Sequence, residues 1–278
     1  MTGARWCALL TLWALTLVSP ASAAAQSHLE HARTLYNSGQ FDEAIAEATS
    51  AGRTASAASS AALIIARARL ERSRESGDPE ELATARAELA SLNPHNLGPQ
   101  ELIEWQIGIG TALFLENQPG SAAEIFTTVL PSARAQLPQP QFDKLLEWWG
   151  AAMSQLADTA TGEARKHSYE ILGSDARLEL ERNPLSAPAM YWTVVALRGA
   201  GDLDRAWAAA VAGWVRAGEQ PEGRRLRADL DTFVTLTLIP ERAQARTGQR
   251  LDAAVTMAEI GALKEEWRVL TARWDTRD

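Results

Sequence analysis

Six short polar turns recur along the chain at a spacing near forty residues, and that periodicity limits the fold more than any single motif does. Centred on Gly39, Gly77, Gln118, Gly162, Gly201 and Gly248, they lie 38, 41, 44, 39 and 47 residues apart. Sequence periods of this length belong to arrays of small units that stack on their neighbours. Each turn has helix-like sequence on both sides: a glycine ends one helix and an acidic or polar residue opens the next. The expected unit is therefore an antiparallel helix pair.

Proline marks the passage between several units, at Pro94 and Pro99, at Pro131, Pro138 and Pro140, at Pro184 and Pro188, and at Pro221. It disrupts a helix interior and restricts the residue before it. The pattern predicts helices at 27–38, 41–52, 57–76, 79–92, 99–116, 120–135, 141–158, 162–182, 187–199, 202–217 and 222–238. No segment sustains the alternation of a half-buried strand. The β-branched run 233–239 continues an acidic, leucine-bearing helix start and is expected to end at Pro240. A last helix, 252–274, carries Ile260, Leu263, Trp267, Leu270 and Trp274 in one stripe opposite Lys264, Glu265, Glu266 and Arg268. One apolar and one polar face is the pattern of a cap on a stacked array. The fold class expected is all-α.

The N-terminus reads as an export signal. Arg5 precedes the apolar run 6–18, and Pro20 leads into Ala21, Ser22 and Ala23, a small-residue cleavage pattern. The run is too short to span a bilayer. Residues 1–25 are expected to be removed, leaving a periplasmic or secreted chain without stable membrane insertion. Cys7, the only cysteine, would go with them, so the mature chain would have no disulfide, thiolate metal site or cysteine nucleophile. The formal net charge of −8 is dispersed and argues against nucleic-acid binding. The one basic cluster, Gly223-Arg224-Arg225-Leu226-Arg227, runs into Asp229 and Asp231 and reads as a solvated helix face.

The turns carry a family resemblance. Gly39-Gln40-Phe41-Asp42-Glu43-Ala44 and Gly201-Asp202-Leu203-Asp204-Arg205-Ala206 resemble tetratricopeptide-repeat units, with Ala123 and Ala253 at the matching small position of two more. Leu82 and His167 depart from it, and the units are longer than the 34 or so residues of that family. The resemblance implies a right-handed superhelix of helix pairs over 26–220, capped by helices within 221–278. It also implies a concave face that binds a protein or an extended peptide.

Trp105, Trp149 and Trp192 fall 44 and 43 residues apart on the first helices of consecutive units and read as packing between units. Trp207, Val211, Trp214 and Val215 form a further stripe, read as core. Trp148 cannot share the centre of Trp149's packing face, since neighbours on a helix differ by about 100°. It is the candidate partner-binding residue. Catalytic chemistry has no convergent set of residues. His28, His31, His95 and His167 are scattered, and Gly108-Ile109-Gly110 lies in an apolar helix without a preceding strand. Paired acids such as Asp42-Glu43 sit at helix starts. No metal or cofactor is expected. The function expected is a non-catalytic scaffold or adaptor for cell-envelope proteins. A carbohydrate or peptidoglycan binder with exposed tryptophans, and a structural subunit of an envelope complex, are the alternatives.

Overall fold

A computed structural model of the chain describes residues 20–219, 223–248 and 253–275. Among them every regular element is a helix, and consecutive helices pack as pairs. The first eight are α1 (Pro20–Asn37), α2 (Phe41–Ala51), α3 (Ala58–Ser76), α4 (Pro79–Ser91), α5 (Pro99–Leu115), α6 (Pro119–Gln136), α7 (Gln139–Thr159) and α8 (Gly162–Arg182). Then come α9 (Ala187–Gly199), α10 (Leu203–Ala217), α11 (Gly223–Phe233), α12 (Ile239–Thr247) and α13 (Ala253–Asp275). Odd-numbered helices α1 to α11 form one row, each touching the next; the even helices lie behind them. No described helix is long and apolar enough to cross a membrane. The expected signal run 6–18 lies outside the described residues.

The six turns predicted from spacing are where the backbone turns left-handed. Gly39, Gly77, Gly162, Gly201 and Gly248 have positive φ, and the sixth turn uses Asn117 at φ 59°. Glycine, and less readily asparagine, tolerates this conformation. Small residues then let the helices close. Ala44, Ala123 and Ala206 are buried where paired helices meet. Where the small position is lost, the packing moves. Leu82 is only half-buried and Ala85 takes the contact; His167 is exposed, and α8 instead buries Tyr169 against Gly199 of α9.

Two prolines do not break helices as expected. Pro131 lies inside α6, which runs on to Gln136, so it does not separate units. Pro240 does not close the helix before it. A π turn over Val234–Leu238 leads directly into α12, and Pro240 occupies the first turn, where its missing N–H costs little. Pro221 lies outside the described residues. The basic cluster is also only partly solvated: Arg227 packs its guanidinium 5.2 Å from the Trp214 ring and pairs with Asp275 at 2.8 Å. One face of α11 is turned onto α10, and residue 227 sits at its edge.

The final helix keeps the predicted stripe. Leu263 and Trp267 are buried and Ile260 and Leu270 partly so, against α10 and α12. Trp267 meets Trp207 and Trp214 edge-on at 5.6 and 5.5 Å and donates its Nε1–H to Asp231 at 2.8 Å. Three indoles in T-shaped contact give a large buried apolar area from few residues.

Candidate functional site

The row of odd helices bends back on itself. Although α3 and α5 lie between them, α1 and α7 meet: Gln141 Nε2 reaches Asn37 Oδ1 at 3.5 Å, and the Lys144 ammonium lies 5.0 Å from the Tyr36 ring and 5.7 Å from Phe41. The arc encloses a cleft of about 440 Å³ bounded by α1, α3, α5 and α7. Leu70, Ile107, Leu145 and Trp148 line its apolar part.

Its polar part is built from ion pairs between odd helices. Arg67 on α3 pairs with Glu104 on α5 at 3.0 Å, and Glu71 on α3 pairs with Lys144 on α7 at 2.6 Å and with Arg74 at 3.0 Å. Glu71 and Glu104 are each only 2% exposed, so their charges must be compensated within the fold. The Arg67 guanidinium also stacks 4.6 Å from the Tyr36 ring. Burial opposes its charge, but Tyr36, Glu104 and Glu71 together outweigh that and hold its proton more firmly than water would. Arg74 also pairs with Glu75 at 3.5 Å, so Arg67, Arg74 and Lys144 face three carboxylates and the cluster is balanced in charge. The carbonyl oxygen of Gln141, at the cleft wall, is buried without a hydrogen-bond partner.

A second, smaller cleft of about 230 Å³ lies further along the row, between Tyr191 of α9 and Asp229, Phe233 and Leu236 at α11 and the π turn. Tyr191 and Phe233 meet edge-on at 5.8 Å, and Leu236 is 72% exposed. Between the two clefts Arg225 bridges to Glu147 at 3.2 Å. Burial pushes the Glu147 carboxyl above its ordinary range, with Arg225 pulling the other way; burial and then Asp229 raise the Tyr191 phenol.

Trp148 is brought to the first cleft, but it is 9% exposed and edge-on to Phe114 of α5 at 5.5 Å. It both lines the cleft and packs on the neighbouring unit. Trp149 is 1% exposed and donates to Thr127 of α6 at 3.0 Å. Trp105 makes the equivalent contact one unit earlier, donating to the Leu89 carbonyl of α4 at 2.9 Å. Trp192 differs: its ring covers Gly150 of α7, and its buried Nε1 has no hydrogen-bond partner. Gly39, Ala44, Ala123, Gly201 and Ala206 sit at turns and helix crossings, while Phe41, at the start of α2, lies 5.7 Å from the Lys144 ammonium. His28 and His31 both face Glu47 of α2, at 2.6 and 3.5 Å.

Sequence reasoning missed Tyr36, Arg67, Glu71, Glu104 and Lys144. One local signal was there: Arg67 and Glu71, four residues apart, interrupt the otherwise apolar face of α3 beside Leu63 and Leu70. Their partners come from other helices, which no local pattern specifies. Comparison of the chain with protein-family models, curated proteins and solved structures finds no match. The likeness to tetratricopeptide units therefore rests on the turn residues.

Proposed function

We propose that this protein is an exported, non-catalytic interaction scaffold for cell-envelope proteins, with the inner face of its odd-helix row as the docking surface. In this reading the row follows the right-handed superhelical course of tetratricopeptide arrays, and a protein segment lies along it. The segment runs over the mouth of the first cleft, past the Arg225–Glu147 bridge, to the groove of Tyr191, Phe233 and Leu236. The observation that carries the reading is the alignment of both clefts on one row of helices, the larger floored by Trp148 and the smaller flanked by an exposed leucine. Concave surfaces with aromatic anchors and a few convergent polar groups suit recognition.

The sugar-binding alternative needs a row of exposed indoles, and each of the eight tryptophans from Trp105 to Trp274 is buried or partly buried. This favours the scaffold. A photo-crosslinking residue placed in the native cell at Leu236 or Ser38 should give adducts with the same protein. One placed at Glu170, exposed on α8, should give none. Adducts from Glu170 alone would move the docking surface to the outer row and refute the proposal, as would an absence of adducts from all three.

A further inference from the structure

We infer that the cleft between α1, α3, α5 and α7 is a site for a small uncharged molecule, an apolar body carrying one hydroxyl. This goes beyond the docking of a protein along the inner face and does not depend on it. Three observations converge. The first is an unpaired polar group in the cleft wall. Thr111 of α5 lines the cleft and is 4% exposed, yet its hydroxyl has no hydrogen-bond partner among the described residues. Thr34, Thr128 and Thr193, by contrast, each donate theirs to the carbonyl four residues back in the helix. A buried hydroxyl left without a partner is costly. A ligand hydroxyl, which both donates and accepts, would supply one.

The second observation is that the charges of the lining are already matched. Arg67 and Lys144, its two cations, pair with Glu104 at 3.0 Å and Glu71 at 2.6 Å, and both also lie against the Tyr36 ring, at 4.6 and 5.0 Å. An ionised ligand would bring in a charge with no opposite partner left for it, which burial penalises. An uncharged one meets no such penalty. The third is shape. Leu70, Ile107, Leu145 and Trp148 give the cleft an apolar floor, and its volume of about 440 Å³ lies within the range of small-molecule sites, roughly 300–1,000 Å³. The contacts of Gln141 with Asn37 and of Lys144 with Tyr36 and Phe41 join the first unit to the fourth across the arc, so a chain threading through would have to part them. The space thus suits a compact occupant, its apolar body on the floor and its hydroxyl at Thr111.

The test is calorimetric titration of the full-length protein with octan-1-ol, octanoate and octylammonium. Octan-1-ol is expected to bind one to one, and each ion about tenfold or more weakly. Thr111→Val keeps the branched shape of the side chain and removes its hydroxyl. It should weaken octan-1-ol about threefold to tenfold, the scale of one neutral hydrogen bond, and should hold or raise the melting temperature, because an unpaired buried hydroxyl is lost. No saturable binding, an ion that binds as tightly as the alcohol, or an affinity for octan-1-ol unchanged in Thr111→Val would each overturn the inference. So would a lower melting temperature of that variant, which would show the hydroxyl to be paired within the fold. If no probe saturates while Leu236 and Ser38 still give adducts with one protein, the scaffold proposal stands and this inference falls. Octan-1-ol binding that depends on Thr111, with no adducts from either position, gives the reverse.

Discussion

Between α1 and α8 the units are joined by closely packed alanines and by ion pairs that run from one odd helix to another, Arg33 to Glu101, Arg67 to Glu104 and Glu71 to Lys144. From α9 onward ion pairs still join helices, Arg198 to Glu241 and Asp204 to Arg242, and clusters of rings add to them: Tyr191 on Phe233, and Trp207 and Trp214 on Trp267. Small side chains bring helix axes together, and directional charge pairs fix which residues meet. That combination can hold a tight arc with a cleft inside it. Large rings need fewer partners and less exact spacing, so they can hold the irregular run of α11, a π turn and α12 under a single closing helix. The region with the regular repeat therefore carries the built cavity, and the region that departs from it is stabilised by a few large side chains.

The largest effects should come from the two buried indoles that represent these regions. Trp149→Ala and Trp267→Ala are each expected to cost about 3–5 kcal/mol in denaturant unfolding. What loosens should differ. Amide exchange should quicken across α5 to α8 in the first variant and across α10 to α13 in the second. Matching exchange patterns would show that the two regions unfold as one and that the contrast has no energetic meaning.

A smaller effect comes from one substitution made in both regions. A Cβ at Gly150 would lie 2.2 Å from the Trp192 ring, whereas one at Gly261 on α13 would meet nothing within 4 Å. Gly150→Ala should destabilise by about 1–3 kcal/mol through overpacking. Gly261→Ala should stabilise by roughly 0.5–1 kcal/mol, since alanine gives up less backbone entropy in a helix. Melting curves of the two variants decide it; a neutral Gly150→Ala would mean that Trp192 can swing aside.

The smallest effects are electrostatic and lie at the surface. A hydrogen bond from His28 holds the Glu47 carboxyl below its ordinary value of 4.5, and one from Arg242 holds Asp204 below 3.8; burial opposes both. A depressed carboxyl contributes stability above its ordinary value and loses it as pH falls through the folded value. The melting deficit of Glu47→Gln should therefore begin to shrink below about pH 4.5, and that of Asp204→Asn only below about pH 3.8. If both deficits vanish over the same pH range, the two pairs are not independent.

The turns were legible because a left-handed glycine followed by a polar helix start is a local event, and so was the stripe of α13. The Pro131 and Pro240 breaks were misread for the same reason: a proline's effect depends on where the helix around it begins, which neighbouring helices help to set. Helix geometry puts Trp148 off the Trp149 face and leaves it either in a groove or against the adjacent unit; that it packs on Phe114 of that unit is set by the tertiary fold. The cleft was less legible still. Arg67, Glu71 and Lys144 are spread over 78 residues of sequence and come together only because the arc closes.

By itself, then, the sequence determined the helical class, the six turns, the register of Trp105 and Trp149 and the amphipathic closing helix. Helices and their caps are set by residues within a turn or two of one another. Tertiary structure decided that α1 meets α7, that the charged residues of α3 are buried, and that a cavity exists. Those outcomes depend on the angle at which each unit packs on the next. Small differences in side-chain shape at each crossing add up over four units, and only the folded arc shows whether the ends touch.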